Sequence, residues 1–378
     1  MDNLDRKQAL ALLSELVKIP SYIGELNPDS ENLLTGYLEN WIKANLKSYK
    51  VIKIPYGKGR TNLLCSSGNG GILFACHMDT VPTQSEGDLR LKVDGDKVFG
   101  LGTKDMKGGI VSLLLALKEL GEKGLKSNVV IAFYGDEEYE QQGIGALVMA
   151  SNKITKPSLI ISPESRFNIG YGSRGICVIK LKITGKTAHS ARAHLGIDAI
   201  KLFYLVYSTL INKLSGETKL GKTDITISEL QGGLLIKGKL SSQTNMVPDY
   251  ANGILSIRVA DTNVDSKDIK KIIKNVINEK GGKVANLIVS VDHPGYLSST
   301  KALTPVIEAI EKSKFSVEYA DPSLAGYNDA ALLASKLKVP LVSFGPYGEN
   351  NHAPNEWVSL SSIIRTAKVY VTLMRDSS

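Results

Sequence analysis

The stretch VVIAFYGDEE, at Val129 to Glu138, joins an apolar run of strand length to a cluster of acids. Three further apolar runs have the same form: GILFAC (Gly71 to Cys76) before His77, LIIS (Leu159 to Ser162) before Pro163 and Glu164, and VPLVSF (Val339 to Phe344) before Gly345 and, farther on, His352. Strands buried on both faces of a parallel sheet are continuous apolar runs, and ligands bind beyond their carboxyl ends. Because amphipathic stretches of helical length separate these runs, the sequence predicts an α/β fold with a doubly wound, mostly parallel sheet.

The pattern changes from about Gly175 onward, where strands alternate between apolar and polar residues around the two helical stretches 198–214 and 266–279. The order β, α, β, β, α, β predicts a two-layer, ferredoxin-like α+β domain. The doubly wound pattern resumes near Ser298. We therefore expect a catalytic domain at residues 1–174 and 294–378, with a second domain at 175–293 inserted into it.

Composition narrows the class of protein. The 378 residues are 43% hydrophobic and 22% charged, which is typical of a globular chain. The net charge of +8 would permit nucleic-acid binding, but the lysines are scattered among acids and form no concentrated stripe. No apolar stretch approaches the ~20 residues that cross a bilayer, and residues 1–20 lack an uninterrupted apolar core for a signal peptide. We expect a cytoplasmic protein that binds neither nucleic acid nor membrane.

Five acids and histidines that follow strands, or lie in the loops between them, predict a metal site: His77, Asp105, Glu138, Glu164 and His352. Imidazole and carboxylate donors without thiolate suit zinc, manganese or cobalt. Five ligands are too few for two separate closed sites. If one carboxylate bridges two ions about 3.5–4 Å apart, each ion has three protein ligands and an open position, which is a catalytic arrangement.

Two further acids are candidates for roles beside the metal ligands. Asp79 follows His77 by two residues, so in an extended segment it could accept the free imidazole N–H and fix the tautomer. Glu137 precedes Glu138, and adjacent side chains usually diverge. If Glu138 faces a metal, Glu137 is the candidate general base for a metal-activated water.

Five motifs follow one another in order: HMDTVP (77–82), GLGTKDMKGG (100–109), GDEE (135–138), SPES (162–165) and NHAPNE (351–356). Together they resemble, nearly from end to end, the M20 family of zinc-dependent amidohydrolases and exopeptidases. The resemblance implies two zinc ions, with cobalt or manganese as possible substitutes. It implies one ion held by His77, Asp105 and Glu164, and a second held by Asp105, Glu138 and His352. It also implies Glu137 as the base and Asp79 as the partner of His77.

The resemblance further implies that the inserted domain is a lid and dimerisation domain, and hence that the protein is a homodimer. There His189, in GKTAHSARAHLGIDAI, matches the histidine that polarises the scissile carbonyl, commonly from the partner subunit. His194 in the same segment competes for this role, and His189 could instead cap the helix that follows. Asn245 and Arg258 match positions that contact the substrate carboxylate. Gly326 resembles a glycine loop of the catalytic domain that closes on substrate.

These expectations combine into a dinuclear zinc-dependent hydrolase. Its substrate would be a small molecule, either an N-acyl amino acid cleaved at its amide or a short peptide cleaved at its C-terminal bond. An aminopeptidase or dipeptidase with the same metal chemistry is the alternative, and a noncatalytic metal-binding protein is a more distant one. The acyl group, the side chain and the physiological metal are left open by the sequence.

Overall fold

The computed structural model describes residues 5–22, 30–68, 70–83, 86–125 and 128–376. In chain order the helices are α1 (Arg6–Lys18), α2 (Ser30–Asn45), α3 (Gly108–Glu122), α4 (Gln142–Met149), α5 (Ala199–Lys213), α6 (Ser266–Glu279), α7 (Thr300–Lys312), α8 (Ala330–Leu337) and α9 (Leu360–Asp376). The strands are β1 (Lys50–Tyr56), β2 (Arg60–Ser66), β3 (Ile72–His77), β4 (Lys92–Asp94), β5 (Lys97–Phe99), β6 (Val129–Tyr134), β7 (Leu159–Ser162), β8 (Gly172–Ser173), β9 (Gly175–Thr184), β10 (Asp224–Ile236), β11 (Lys239–Ser241), β12 (Tyr250–Val259), β13 (Lys283–His293), β14 (Tyr296–Leu297), β15 (Leu341–Ser343), β16 (Gly348–Glu349) and β17 (Trp357–Ser359). None of these helices is both long enough and apolar enough to cross a bilayer.

The chain divides into two compact units. The first consists of residues 1–171, 298–321 and 329–378, and the second of residues 172–297 and 322–328. Gly326 therefore lies in the second unit, whereas the resemblance implied a loop of the catalytic domain. Its neighbour Tyr327 packs within the second unit, where its ring stacks on His293 with 4.7 Å between ring centroids.

A six-stranded sheet in the order β1-β2-β6-β3-β7-β15 forms the centre of the first unit. Strands β6, β3, β7 and β15 run parallel, and β2 joins β6 in the antiparallel direction. Every residue of β3 and β6 is buried, which explains their continuous apolar sequences. The carboxyl ends of the parallel strands therefore meet at one edge of the sheet.

Helices α1, α2, α3, α7 and α9 contribute apolar side chains to the core of the first unit. Phe74 of β3 illustrates the packing, because its fully buried ring meets Tyr370 of α9 edge to face at 5.0 Å between centroids. Burial of one such side chain contributes about 1.5–3 kcal/mol. This core fixes the strands whose ends carry the acids and histidines.

A smaller antiparallel sheet, in the order β16-β17-β5-β4, belongs to the same unit. Trp357 of β17 pairs in register with Phe99 of β5. The pairing brings the loop after β5, which contains Asp105, beside the loop before β17, which contains His352. Two segments far apart in sequence thus become neighbours.

The second unit has a five-stranded antiparallel sheet in the order β11-β10-β12-β9-β13. Helices α5 and α6 pack against it, and their apolar residues form one core with the inward side chains of β9 and β12. The short β11 only extends β10 as a hairpin, so the main order is β, α, β, β, α, β. The predicted fold class, a mostly parallel α/β sheet together with an α+β unit, is confirmed.

Candidate active site

His77 lies at the centre of a cluster of acids at the carboxyl edge of the parallel sheet. It is the last residue of β3, and its side chain is 1% exposed. The imidazole Nε2 is 3.1 Å from Oδ1 of Asp105 and 3.5 Å from Oε1 of Glu164. On the other side of the ring, Nδ1 is 3.2 Å from the backbone oxygen of Asp79. The ring is therefore held with one nitrogen toward two carboxylates.

A second group of donors surrounds His352. Its Nε2 lies 2.9 Å from Oε1 of Glu138 and 3.3 Å from Oδ2 of Asp105. Asp105 consequently turns one carboxylate oxygen toward His77 and the other toward His352. The side-chain amide of Asn351 also donates to Oδ2 of Asp105, at 3.2 Å. One carboxylate thus lies between two groups of donors.

The donor atoms form two overlapping triads in which all atoms lie within 4.8 Å of one another: His77, Asp105 and Glu164, and Asp105, Glu138 and His352. Two donors about 2.0–2.2 Å from a tetrahedral ion are roughly 3.3–3.6 Å apart. The four imidazole–carboxylate separations in these triads, 2.9–3.5 Å, are close to that range. Both the donor chemistry and the spacing fit two ions of the zinc type that share Asp105.

The electrostatics of the site also fit bound cations. Burial raises the pKa of Glu164 to about 7. Burial also raises the pKa of Asp105, but hydrogen bonds with His352 and His77 outweigh it and hold that pKa well below its usual value. Burial lowers the pKa of His77, but the hydrogen bond with Asp105 and the carboxylates of Asp79 and Glu137 raise it well above normal. Buried carboxylates at this density are costly unless positive charge compensates them.

Glu137 lies beside the two triads. Its carboxylate is within 4.8 Å of donor atoms of His77 and Glu138. Burial raises the pKa of Glu137 well above normal, and the repulsion of Asp329 and Glu164 adds to this against the attraction of His77. A carboxyl group with a raised pKa is a stronger proton acceptor than an ordinary exposed glutamate.

Asp79 is fully buried and joins two parts of the site. Its Oδ2 accepts the backbone N–H of Glu138 at 3.0 Å. Its Oδ1 lies 3.7 Å from Nδ1 of His77, beyond hydrogen-bond distance, and has no hydrogen-bond partner among the described residues. The nearer partner of the imidazole is the backbone oxygen of Asp79 and not its carboxylate.

Two buried acids near the site, Glu356 and Asp329, were not predicted from the sequence. Glu356 accepts three backbone N–H groups from the loop that carries Asp105. Asp329 accepts the hydroxyl hydrogen of Tyr134 at 2.7 Å, and burial raises its pKa to about 7. Glu356 ends the NHAPNE motif, and that position was the available signal. Asp329 follows an asparagine directly before α8, and these two residue types in the sequence indicate the start of a helix but no role in a site.

The remaining candidates, His189, Asn245, Arg258 and Gly326, all lie in the second unit, where their residues are exposed. His189 caps the short turn Ser190–Leu195, with Nδ1 accepting the N–H of Ala191 at 3.1 Å. The N–H of Ser190 donates to the backbone oxygen of Asn245 at 2.8 Å, so these two candidates lie on adjacent segments. Arg258 lies on β12, in register with Asp224 of β10.

Comparison with known proteins gives a consistent result. The sequence profile of Peptidase family M20/M25/M40 matches residues 73–376. A probable succinyl-diaminopimelate desuccinylase of Staphylococcus aureus is 26% identical over 415 aligned positions, covering 100% of this chain and 98% of the relative. A probable carboxypeptidase of Aspergillus clavatus is 27% identical over 328 positions, covering 81% of this chain and 74% of the relative. The crystal structure of the YXEP protein of Bacillus subtilis, a dinuclear metal-binding peptidase, has the same fold, with a TM-score of 0.70, 17% identity and 98% coverage of both chains.

Proposed function

Because this chain belongs to Peptidase family M20/M25/M40, we propose that it is a dinuclear hydrolase of N-acyl amino acids or of the C-terminal bond of small peptides. The family match confirms the predicted resemblance and the predicted class of metal-dependent hydrolase. The proposal of two ions depends above all on one observation, which is that Asp105 belongs to both triads of donors. A carboxylate in that position suits a pair of ions better than a single one.

His77, Asp105 and Glu164 would hold one ion, and Asp105, Glu138 and His352 the other. When bound, such ions polarise a carbonyl and lower the pKa of water. The donors favour Zn²⁺, with Co²⁺ or Mn²⁺ as substitutes, because imidazole and carboxylate ligands accept all three. Asp79 would orient the His77 ring, chiefly through its backbone oxygen.

Glu137 would take a proton from the attacking water and return it to the leaving nitrogen. Its position beside His77 and Glu138 supports this role, because the carboxylate is close to both triads. Its raised pKa supports the second half of the transfer, since a carboxyl group must hold the proton before donating it.

Both substrate classes release the same kind of leaving group, an amino acid with a free α-carboxylate. One site can therefore serve both reactions, which accords with a desuccinylase and a carboxypeptidase among the relatives. Arg258 and Asn245 would bind this carboxylate, His189 would stabilise the developing oxyanion, and Gly326 would lie in a loop that closes on substrate. We propose a homodimer, in which His189 would act either in its own chain or across the interface.

Hydrolysis of a substrate panel by metal-stripped enzyme, with and without added Zn²⁺ or Co²⁺, tests the proposal. The panel contains N-acetyl and N-succinyl amino acids, free dipeptides and carboxyl-blocked dipeptides. We expect metal-restored cleavage of substrates with a free carboxylate. A requirement for a free amine would favour an aminopeptidase instead. Full metal loading without any cleavage would refute a hydrolase of these substrates and favour a metal-binding protein.

A further inference from the structure

The motif NHAPNE contains a second acid, Glu356, that the proposed reaction does not use. Glu356 lies four residues after His352 and directly before β17, and it is 5% exposed. Its Oε2 accepts the N–H of Gly102 at 2.7 Å. Its Oε1 accepts the N–H groups of Lys104 and Asp105, at 2.7 and 3.0 Å. One buried carboxylate thus binds three amides of a single loop.

That loop has an irregular backbone that needs such an anchor. Gly102 has φ of 71°, in the left-handed region, and a side chain there would collide with Thr80. Asp105 lies in the turn Thr103–Lys107, directly before α3, and has φ of −125° and ψ of 91°, which is not helical. The Glu356 carboxylate is the acceptor for the N–H groups of Gly102, Lys104 and Asp105. The N–H groups of Thr103 and Lys107 bond instead to backbone oxygens of the same loop, those of Gly100 and Gly102.

The anchored loop presents the carboxylate shared by both triads. Asp105 must turn Oδ1 toward His77 and Oδ2 toward His352, 3.1 and 3.3 Å away. A small rotation of the backbone at Asp105 would move both oxygens at once. Because Glu356 and His352 belong to the same loop, one short segment supplies a donor to one triad and orients the donor common to both.

We propose that Glu356 is a positioning residue that sets the orientation of Asp105. Through Asp105 it would set the affinity of the site for the more weakly bound of its two ions. The inference rests on the proposed function, because it concerns the same ion pair. Glu356 belongs to neither triad and acts through the backbone of residues 102–105. Partners that orient metal ligands typically contribute about 10–100-fold to metal affinity or activity.

Calorimetric titration of the metal-free full chain with Co²⁺ tests this, together with the visible spectrum of the bound ion. Glu356→Gln replaces one acceptor oxygen with an NH₂ group that faces backbone N–H donors. We expect wild type to bind two Co²⁺ per chain, and the variant to bind the weaker ion about 10–100-fold less tightly with an altered spectrum. Glu349→Gln, the same charge change on the neighbouring β16, is the control and should match wild type.

The outcomes separate the two proposals. Equal affinity for both ions in Glu356→Gln and wild type would overturn the positioning role and leave the proposed function standing. Binding of fewer than two ions by wild type would overturn the proposed function itself. If Glu356→Gln does not fold, Glu356→Asp carries the same test, because it keeps the charge but is one methylene too short for all three amides. Wild-type affinity in Glu356→Asp would also overturn the proposal.

Discussion

Replacing Glu31 by alanine should destabilise the first unit more than any exposed charge substitution. Glu31 lies in the first turn of α2, and its side chain is 1% exposed. Its carboxylate accepts the Tyr56 hydroxyl at 2.6 Å, Nη1 of Arg60 at 3.0 Å and the backbone N–H of Asp136 at 2.6 Å. Since Asp136 directly precedes Glu137 and Glu138, this network also holds the strand end that bears them.

The size of the effect follows from what each partner loses. Arg60 keeps a second carboxylate, because its Nη1 is also 3.2 Å from Oδ1 of Asp136. The Tyr56 hydroxyl and the Asp136 N–H would remain buried without their acceptor, at about 1–3 kcal/mol each. Because Arg60 is not left without a counter-charge, the two unpaired groups set the scale of the loss. We therefore expect Glu31→Ala to lower the free energy of unfolding by about 2–6 kcal/mol.

Urea unfolding followed by tryptophan fluorescence measures this change, because Trp41 and Trp357 both lie in the first unit. Glu39→Ala is the matched control. Glu39 is 14% exposed, but its partners Lys43 and Lys53 are 61% and 56% exposed and return to water when it is removed, so its loss should cost about 1 kcal/mol. If Glu31→Ala were no more destabilising than Glu39→Ala, the network would not stabilise the fold as argued.

Three further predictions concern the site and the second unit. Glu137→Gln should lower kcat by about 10²–10⁴-fold with unchanged zinc content, and normal turnover of the zinc-loaded variant would contradict its role as base. His352→Ala should reduce the bound zinc from two ions to one per chain in equilibrium dialysis, because it removes one donor of a single triad; an unchanged stoichiometry would disprove the assignment. Asp265→Ala should lower the free energy of unfolding by about 1 kcal/mol, because the Asp265 side chain caps α6 by accepting the N–H groups of Lys267 and Asp268 at 2.8 and 3.0 Å. An unchanged melting temperature in thermal unfolding would show that the cap is dispensable.

The sequence alone was sufficient to predict the site residues that lie at the ends of strands. His77, Glu138 and Glu164 each follow an apolar run, and the three strands concerned, β3, β6 and β7, are neighbours in the sheet. Parallel strands place their carboxyl ends at one edge, so a common location could be inferred without knowing the strand order. The α+β class of the second unit followed in the same way from the change in periodicity near Gly175.

Asp105 and His352 could not be placed by that argument. They meet because β5 pairs with β17, and these strands are three residues long and more than 250 positions apart in the chain. Strands this short have no readable alternation, so the sequence indicated both residues as candidates but not the strand pairing that brings them together. The peptide bond between Asp105 and Met106 is cis, and no residue pattern indicates a cis bond that does not involve proline.

Buried acids that bind protein groups were the least predictable feature, because an acid in a sequence is usually a surface residue. Glu31 looks like an ordinary acid at the start of a helix, and Glu356 looks like the polar end of a loop. Each is buried because a distant segment offers hydrogen-bond donors: Arg60 and Tyr56 from the β1–β2 hairpin for Glu31, and the amides of residues 102–105 for Glu356. Such partners exist only after the strands have paired. The acids that hold the site in place are therefore determined by tertiary structure, whereas the acids that face the ions were already visible at the ends of the apolar runs or in the motifs.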